Sequence, residues 1–370
     1  MLAALERRGC ILRTQTLRAG AAKALQEVSS VPLSIDSSNV EILKVGLEAC
    51  DRAKGRQIKA KLKFATHADE QVQVKVGISP VDMDGAKRNL MAEISGWDFD
   101  GVVAKAGQQW QKQLNHIQIT GGSDDQRKIF YTALYHSAIS PNIASDVDGR
   151  YRGMDQKIHQ DPAYTNHTVF SLWDTFRAQH PLLVLLQPER APHLVRSLLA
   201  KAEQGGFLPN FPGWNSYTSA MIGDHGASVI ADAWVKGVRG FDGEAALAAL
   251  VKNATVAPTT EEYADGRGRR ALGEYRSLGF IPLEQEVREA FHRREQVSRT
   301  LEYAYDDFAV AALARALGRA DVAAEFERRS GSWRNVFDRT IGFVRGRHAD
   351  GRWTEAFDPA AEQPWITEGT

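Results

Sequence analysis

One loop-rich part of the chain, residues 170–242, alternates flat aromatic side chains with short hydrogen-bonding side chains. Trp173 stands directly before Asp174, and two further rings lie in a downstream loop rich in Gly, Pro and Asn. A pyranose ring has C–H faces that stack on aromatic rings, and its hydroxyls need fixed polar partners. The pattern therefore predicts a sugar site. Its substrate-binding candidates are Trp173, Asp174, Phe211 and Trp214.

The composition favours a neutral ligand. The chain has 370 residues, and its 46 Lys and Arg residues balance its 46 Asp and Glu residues. Without a net charge, no long-range field draws the protein to nucleic acid or to an anionic membrane. The apolar run at 182–186 is too short to cross a bilayer, and Pro188 follows it. We therefore expect no nucleic-acid partner and no membrane insertion.

Several other kinds of site lack support in the sequence. Cys10 and Cys50 are the only cysteines, which excludes a disulfide framework and a cysteine zinc knuckle. His136, His180 and His225 are dispersed without the spacing of a zinc-protease helix, which favours ordinary core or surface roles. The sequence also contains no nucleophile elbow and no phosphate-binding loop.

Two acidic pairs invite a catalytic or metal interpretation, and a structural role is favoured for both. Asp306 and Asp307 are neighbours on a predicted helix, where adjacent side chains point about 100° apart and cannot easily address one sugar. Asp146 and Asp148 resemble part of a calcium loop. That segment lacks the distal glutamate of such loops, so a turn is the favoured interpretation.

The elements that must position these residues change in type along the chain. Apolar and polar residues alternate at 58–64 and again at 71–76, which predicts a half-solvated antiparallel sheet with Val76 inward and Lys75 outward. After Asp100 the period becomes helical: one stripe runs over 106–114. A second stripe at 129–134 follows Ser123, which can cap its helix.

From there the chain is predicted to be mainly helical. Apolar spacing predicts helices over 172–186, 191–203, 225–236, 244–253, 297–317 and 320–338. Gly205 and Gly206 are interpreted as a helix C-cap. A β segment followed by paired helices indicates an α+β multidomain protein, in which a β-sandwich precedes an α/α toroid or bundle.

Six sequence segments carry a family resemblance. In chain order they are Phe130–His136, Ser145–Arg152, Phe170–Arg177, Gly205–Pro209, Ile230–Ala233 and Leu301–Asp307. They resemble successive motifs of the glycoside hydrolase family 92 α-mannosidases, and Val74–Ser79 and Gly96–Asp100 match that family as well. Because so many long motifs occur in the same order, chance similarity is improbable.

The resemblance implies a fold and an activity. It implies a partial antiparallel β-sandwich within residues 1–98, a linker helix at 99–122 and an incomplete (α/α)6 toroid, the catalytic domain, at 123–370. It also implies calcium-dependent exo-hydrolysis of terminal α-linked mannose with inversion, so that Ca2+ is the expected cofactor. The expected partner is a mannose-containing oligosaccharide or glycan.

Inversion requires one carboxyl group as acid and another as base, far enough apart for a water molecule. The family's acid lies in a Thr-Glu-Gly-Asn motif, which aligns with Thr367 to Gly369 and makes Glu368 the expected general acid. Thr370 stands where the family has Asn. The family's base lies in a Gly-Asn-Asp-Asp segment, which this chain lacks. We therefore expect an internal fragment, truncated at both ends and inactive alone.

The resemblance also bears on sugar binding and location. Asp174 resembles a residue that hydrogen-bonds the hydroxyls of the terminal mannose, and Phe211 occupies a position where the family usually has Trp. A periplasmic or extracellular parent protein is expected, although no signal peptide is visible in this chain. Two alternatives stay open: a non-catalytic mannose-binding remnant, and an (α/α)6 glycosidase with another sugar specificity.

Overall fold

A computed structural model describes residues 73–287, 290, 292–355 and 357–367, together with three strands at 24–27, 33–36 and 59–62. The described part of the chain divides into two compact units. The first contains the described residues up to Ile139 with segments 144–152 and 158–165, and the second contains 140–143, 153–157 and the described residues from Asn166 onward. The domain boundaries implied by the family resemblance stay predictions.

The first unit begins with four short strands in two antiparallel pairs. The strands are β1 (Ala24–Glu27), β2 (Leu33–Asp36), β3 (Lys59–Leu62) and β4 (Lys75–Ile78). β1 pairs with β3, with Ala24 opposite Leu62, and β2 pairs with β4, with Leu33 opposite Ile78. Antiparallel pairing is thereby confirmed for the described parts of both predicted stretches. The predicted strand positions at 58, 63–64 and 71–72 lie outside the described residues.

The predicted outward position of Lys75 is wrong. Lys75 is buried beside Val76, and its ammonium donates to the Ile94 carbonyl at 3.2 Å. The same ammonium lies 4.4 Å from the ring centroid of Trp97. A long side chain can bury its methylenes and still satisfy its charged end. The rule that alternate residues of a strand face solvent therefore fails for Lys75, which faces the protein interior.

Three helices and a hairpin complete the first unit. They are α1 (Met83–Glu93), α2 (Phe99–Leu114), α3 (Asp124–Ile139) and the strands β6 (Arg150–Arg152) and β7 (Ile158–Gln160). The periodicity at 106–114 and 129–134 is confirmed by α2 and α3, and Ser123 Oγ accepts from Gln126 N at 3.2 Å as predicted. α1 was not predicted, although Asp82 is its N-cap and accepts from Gly85 N at 2.6 Å.

The second unit is built on helices packed around one long helix. Its elements are β5 (Asn142–Ile143), β8 (His167–Thr168), α4 (Leu172–Thr175), α5 (Gln179–Leu186), α6 (Ala191–Gly205), α7 (Gly226–Val235), α8 (Gly243–Thr255), α9 (Thr260–Ala264), α10 (Leu272–Leu278), α11 (Gln296–Ala316), α12 (Ala320–Ser330), β9 (Phe337–Asp338) and β10 (Phe343–Val344). Five of the helices α6 to α12 each place a fully buried side chain in the largest hydrophobic core: Leu198, Ile230, Leu250, Leu313 and Phe326. The predicted helices at 191–203, 225–236, 244–253 and 297–317 are confirmed by α6, α7, α8 and α11.

The start of α11 is completed by a distant segment. The first N–H groups of a helix have no acceptor within the helix, and no side chain caps this one. The Trp365 carbonyl instead accepts from Val297 N at 3.1 Å and from Ser298 N at 3.3 Å. Ser298 Oγ in turn accepts from Thr367 N at 2.8 Å. The end of the described chain is therefore fixed on the first turn of α11.

Two predicted helices are shorter than expected. The helix predicted over 172–186 is split into α4 and α5. Pro181 has no N–H to donate to the Arg177 carbonyl, and its ring would clash with that carbonyl in a continuous helix. Near the break, Arg177 Nε donates to the Trp173 carbonyl at 3.1 Å. The helix predicted over 320–338 ends at Ser330 and leads through a 3-10 turn into β9. At β9, Asp338 accepts from Thr340 and Arg345 and forms a hairpin turn.

Glycine ends α6 as predicted. Gly206 has a φ of 92°, a left-handed conformation in which glycine carries no Cβ penalty. Two short helices, α9 and α10, were not predicted. α9 starts with a capping box in which Thr259 and Glu262 bind each other's backbone N–H groups. That signature was visible in the sequence.

Helices and two-stranded antiparallel sheets together make the described part of the chain a mixed α and β structure. The finer description, a β-sandwich followed by a toroid, stays a prediction. No helix among the described residues is both long and apolar enough to cross a membrane.

Candidate functional site

The short helix α4 presents Trp173 and Asp174 together. Trp173 is half-buried, and its indole Nε1 donates to Glu302 Oε1 at 3.0 Å. Asp174 is exposed and accepts a hydrogen bond from the hydroxyl of Ser171. An indole with one accessible part and an exposed carboxylate on the same turn match the stacking and hydrogen-bonding groups that a sugar needs.

Glu302 on α11 is the centre of the polar contacts behind Trp173. Its side chain is 7% exposed, and Arg177 NH2 binds the same Oε1 atom at 2.8 Å. The Arg177 guanidinium also lies over two rings, 4.8 Å from the Trp173 centroid and 4.7 Å from the Phe176 centroid. Indole, guanidinium and carboxylate therefore hold one another in a fixed arrangement.

A buried histidine lies on the other side of Glu302. His225 Nε2 is 3.6 Å from Glu302 Oε2, beyond hydrogen-bonding distance, while its Nδ1 is 2.9 Å from Asp306 Oδ1. The imidazole also stacks on Phe176, with centroids 4.1 Å apart and planes 12° apart. Asp306 accepts the Asp224 N–H at 2.6 Å as well. Because a carboxylate only accepts, Nδ1 of His225 donates this hydrogen bond.

Asp306 and Asp307 serve separate networks, as the sequence indicated. Asp306 binds His225, whereas Asp307 accepts from Arg269 NH1 at 2.7 Å and from Arg329 Nε at 3.0 Å. Tyr275 adds a third contact to Asp307 at 2.9 Å. Both carboxylates are fully buried. Asp307 therefore joins α10, α11 and α12 and has no contact with solvent.

Asp224 links the two networks. Its carboxylate accepts from Arg269 Nε at 2.9 Å and from Asn253 Nδ2 at 3.0 Å. Burial raises the pKa of the Asp224 carboxyl to about 6, because the loss of water disfavours its charged form more than these partners favour it. Asn253 also exchanges two hydrogen bonds with the backbone of Leu208. The polar network is thus tied to the loop that follows α6.

The aromatic loop at 211–217 is ordered and carries one prominent ring. Trp214 is 66% exposed, its φ is 58°, and its carbonyl is held by the hydroxyl of Thr168. Its neighbour Asn215 exchanges two hydrogen bonds of 2.9 Å with Gln156. Phe211 is half-buried, and its carbonyl accepts from Thr218 Oγ1 at 2.5 Å. A fixed backbone that exposes an indole is typical of a stacking platform.

The predicted site residues are only partly brought together. Trp173 and Asp174 share α4, but no hydrogen bond or ring contact among the described residues joins them to Phe211 or Trp214. Glu368, the predicted general acid, lies outside the described residues.

The residue before Glu368 has a defined place. Thr367 is 2% exposed, and its N–H binds Ser298, four residues before Glu302 on α11. Four residues of helix span about 6 Å. The backbone that leads into Glu368 is therefore anchored one helical turn from the carboxylate that holds Trp173.

The segment with Asp146 and Asp148 forms a turn, as favoured from the sequence. Asp146 is buried and accepts from Ser79 Oγ at 2.7 Å and Asn89 Nδ2 at 2.8 Å, and burial raises its pKa. Asp148 accepts from Arg150 Nε at 2.9 Å. Among the described residues, no group of three or more His, Cys, Asp or Glu side chains could hold a metal ion.

The three histidines do not form one site. His180 is buried and stacks on Phe170, and burial lowers its pKa to about 4, which fits the core role assigned from the sequence. His225 is also buried, as that assignment predicts, and its Nδ1 binds Asp306. Sequence reasoning missed His225, Glu302 and Arg177 as parts of the site. Glu302 and Arg177 lie inside the motifs Leu301–Asp307 and Phe170–Arg177, in which only their neighbours were considered as site residues.

Comparison with known proteins identifies relatives for most of the chain. Residues 85–370 match the model of the glycosyl hydrolase family 92 catalytic domain. An uncharacterized secreted glycosidase of Arthroderma benhamiae is 28% identical over 307 residues, which cover 78% of this chain and 35% of that protein.

Two solved structures from Bacteroides thetaiotaomicron are also similar. One is a family GH92 α-mannosidase in complex with mannoimidazole, at 36% identity and a TM-score of 0.74, covering 84% of this chain and 40% of that one. The other is a family GH92 inverting mannosidase, at 25% identity and a TM-score of 0.76, covering 99% of this chain and 49% of that one. The chain thus spans less than half the length of each of these three relatives.

Proposed function

Because the chain belongs to glycosyl hydrolase family 92, we propose that the intact protein is an inverting exo-α-mannosidase that removes terminal α-linked mannose from glycans. One observation carries the proposal. The Trp173 indole and the backbone that leads into Glu368 are fixed within about one turn of each other on α11. The sugar-stacking ring on α4 and the residue that precedes the expected acid are then both held by the first two turns of α11.

In this proposal Glu368 protonates the glycosidic oxygen, and Trp173 and Asp174 bind the terminal mannose. Phe211 and Trp214 supply further apolar surface to the glycan. Inversion requires a second carboxylate roughly 6.5–9.5 Å from the acid, with a water molecule between base and sugar. An intact protein that carries the family's Gly-Asn-Asp-Asp segment supplies that group.

Calcium dependence is proposed on the family resemblance alone. The described side chains offer no cluster of carboxylates that fits the cation, and a calcium ion needs six to eight oxygen ligands. No step performed by the described residues is therefore assigned to calcium.

The proposed architecture and cellular location rest on the similar proteins. We propose the β-sandwich and (α/α)6 toroid, with the domain limits given above, and the TM-scores of 0.74 and 0.76 with family structures support a shared architecture. An exported parent protein, periplasmic or extracellular, is supported by the secreted relative.

Replacement of Glu368 by Gln in the intact protein tests the assignment of the acid. Hydrolysis of α-mannobiose should fall by about 10²- to 10⁴-fold in kcat, because an amide cannot donate the proton. NMR of the first product should show β-mannose. Glu362→Gln is the matched control, since Glu362 is exposed in the same segment, and it should keep wild-type rates. Unchanged kcat in Glu368→Gln, or α-mannose as first product, would contradict the proposal.

The non-catalytic alternative is supported by the ring and the exposed carboxylate on α4, because these two groups can bind a sugar without taking part in hydrolysis. Calorimetric titration with mannoimidazole, of the intact protein and of this chain, separates the mannosidase proposal from the non-catalytic alternative. Saturable binding without hydrolysis by the intact protein would favour a mannose-binding role.

A further inference from the structure

We propose that Glu302 is the positioning residue that sets the orientation of the Trp173 indole for mannose. The inference rests on the proposed function and extends it to a residue that need not touch the sugar. Glu302 Oε1 is the shared acceptor of the Trp173 Nε1–H at 3.0 Å and of Arg177 NH2 at 2.8 Å.

The first step concerns the ring. An indole has one hydrogen-bond donor, Nε1–H, at one edge. A hydrogen bond at that edge, together with a guanidinium over the ring, restricts rotation about both side-chain torsions. Arg177 provides the guanidinium, 4.8 Å from the Trp173 centroid. The accessible part of the indole is thus held in one plane, as sugar stacking requires.

The second step concerns the charge of the acceptor. The Glu302 side chain is 7% exposed and has lost most of its hydration, whereas its partner Arg177 is 42% exposed. An ion pair of this kind adds little net stability, because desolvation and screening by water offset the attraction. Glu302 therefore contributes fixed geometry more than it contributes stability.

The third step concerns the rear of the carboxylate. His225 faces Oε2 at 3.6 Å and is itself held by the Phe176 ring and by Asp306. Both oxygens of Glu302 are consequently turned toward protein groups. This arrangement argues against Glu302 as the reacting base, because a base needs an oxygen aimed at water beside the sugar.

Kinetics on α-mannobiose with the intact protein test the proposal. Glu302→Ala should raise KM by about 10-fold, the largest factor expected for the loss of one oriented aromatic contact with the sugar, with kcat within about fivefold of wild type. Glu302→Gln keeps an acceptor oxygen and should raise KM by less than about fivefold. In a Trp173→Phe background, which has no N–H, the effect of Glu302→Ala on KM should shrink at least about threefold because the two residues act together.

Fluorine NMR of protein labelled with 5-fluorotryptophan gives a readout that does not depend on activity. The resonance lost in Trp173→Phe identifies Trp173, and Glu302→Gln and Glu302→Ala should shift that resonance. Glu244→Gln is the matched control, because Glu244 pairs with Arg319 in an exposed ion pair, and it should leave both the Trp173 resonance and KM unchanged.

Three results would overturn the inference. The first is an unmoved Trp173 resonance in Glu302→Ala, and the second is a KM of that variant within about twofold of wild type. The third is a loss of kcat beyond about 100-fold in Glu302→Gln with KM retained, which is the behaviour of a reacting group. If the wild-type protein hydrolyses no α-mannoside, the proposed function fails, while the fluorine spectrum still decides whether Glu302 orients Trp173.

Discussion

At the scale of single residues, Lys201 has an unusual environment. Its ammonium is buried and donates to the His167 carbonyl at 2.6 Å and to Asn166 Oδ1 at 3.4 Å. Burial lowers the pKa of Lys201 from 10.5 to about 7. The charge therefore joins β8 to α6 at the cost of its hydration.

The lowered pKa predicts a pH dependence of stability. Between about pH 7 and 10.5 the unfolded chain keeps a proton on Lys201 that the folded chain has lost, so the free energy of unfolding rises with pH there. The slope from this group is at most about 1.4 kcal/mol per pH unit. Urea denaturation at several pH values should show a flatter rise for Lys201→Met. The exposed control Lys236→Met should keep the wild-type slope, and equal slopes in all three proteins would contradict the assignment.

Part of the candidate site could be predicted from residue types and their spacing in the sequence. Trp173 and Asp174 were found because an aromatic ring and a carboxylate are adjacent in the sequence. Glu302 is 129 residues from Trp173, and its place in the motif Leu301–Asp307 does not show that it pairs with that indole. Long-range pairing of this kind depends on the packing of α4 against α11, which local spacing does not encode.

At the scale of elements, close approach at Gly205 makes the end of α6 sensitive. A Cβ added to Gly205 would lie 2.1 Å from the Tyr217 hydroxyl, which itself donates to the Phe207 carbonyl at 2.6 Å. Gly205→Ala should therefore lower the free energy of unfolding by about 1–3 kcal/mol through overpacking. Gly273→Ala in α10 is the control, because no atom lies within 4 Å of its added Cβ.

Denaturation midpoints of these two variants should move in different directions. Gly273→Ala should be neutral or stabilising by up to about 1 kcal/mol, the helix propensity difference between the two residues. A Gly205→Ala protein as stable as Gly273→Ala would show that Tyr217 moves aside without cost.

Elements were predictable where one face of a helix is continuously apolar. The helices α6 and α11 were located within two residues at each end because their buried positions recur at helical spacing. The break between α4 and α5 was missed because apolar periodicity continues across it. Pro181 was the visible signal, since a proline inside a helical pattern clashes with the carbonyl four residues before it.

At the scale of the whole molecule, the proposed calcium requirement is open to a direct measurement. Chelation should abolish hydrolysis of α-mannobiose by the intact protein and lower its thermal midpoint, because loss of a ligand that binds only the native state removes its stabilisation. Added Ca2+ should restore both, whereas Mg2+, which demands tighter octahedral geometry, should not. Full activity in chelator would remove calcium from the proposal and leave the carboxylate assignment standing.

The junction between Trp365 and the first turn of α11 also has a consequence for biosynthesis. Ser298, in the first turn of the helix that carries Glu302, is synthesised 69 residues before Thr367, whose backbone binds it. At roughly 5–20 residues per second, this interval is on the order of 3–14 s. During it, the amide hydrogens of Val297 and Ser298 must be satisfied by water. The hydrogen bonds from the Trp365 carbonyl to the first turn of α11, the longest described helix, can therefore form only several seconds after that turn is synthesised.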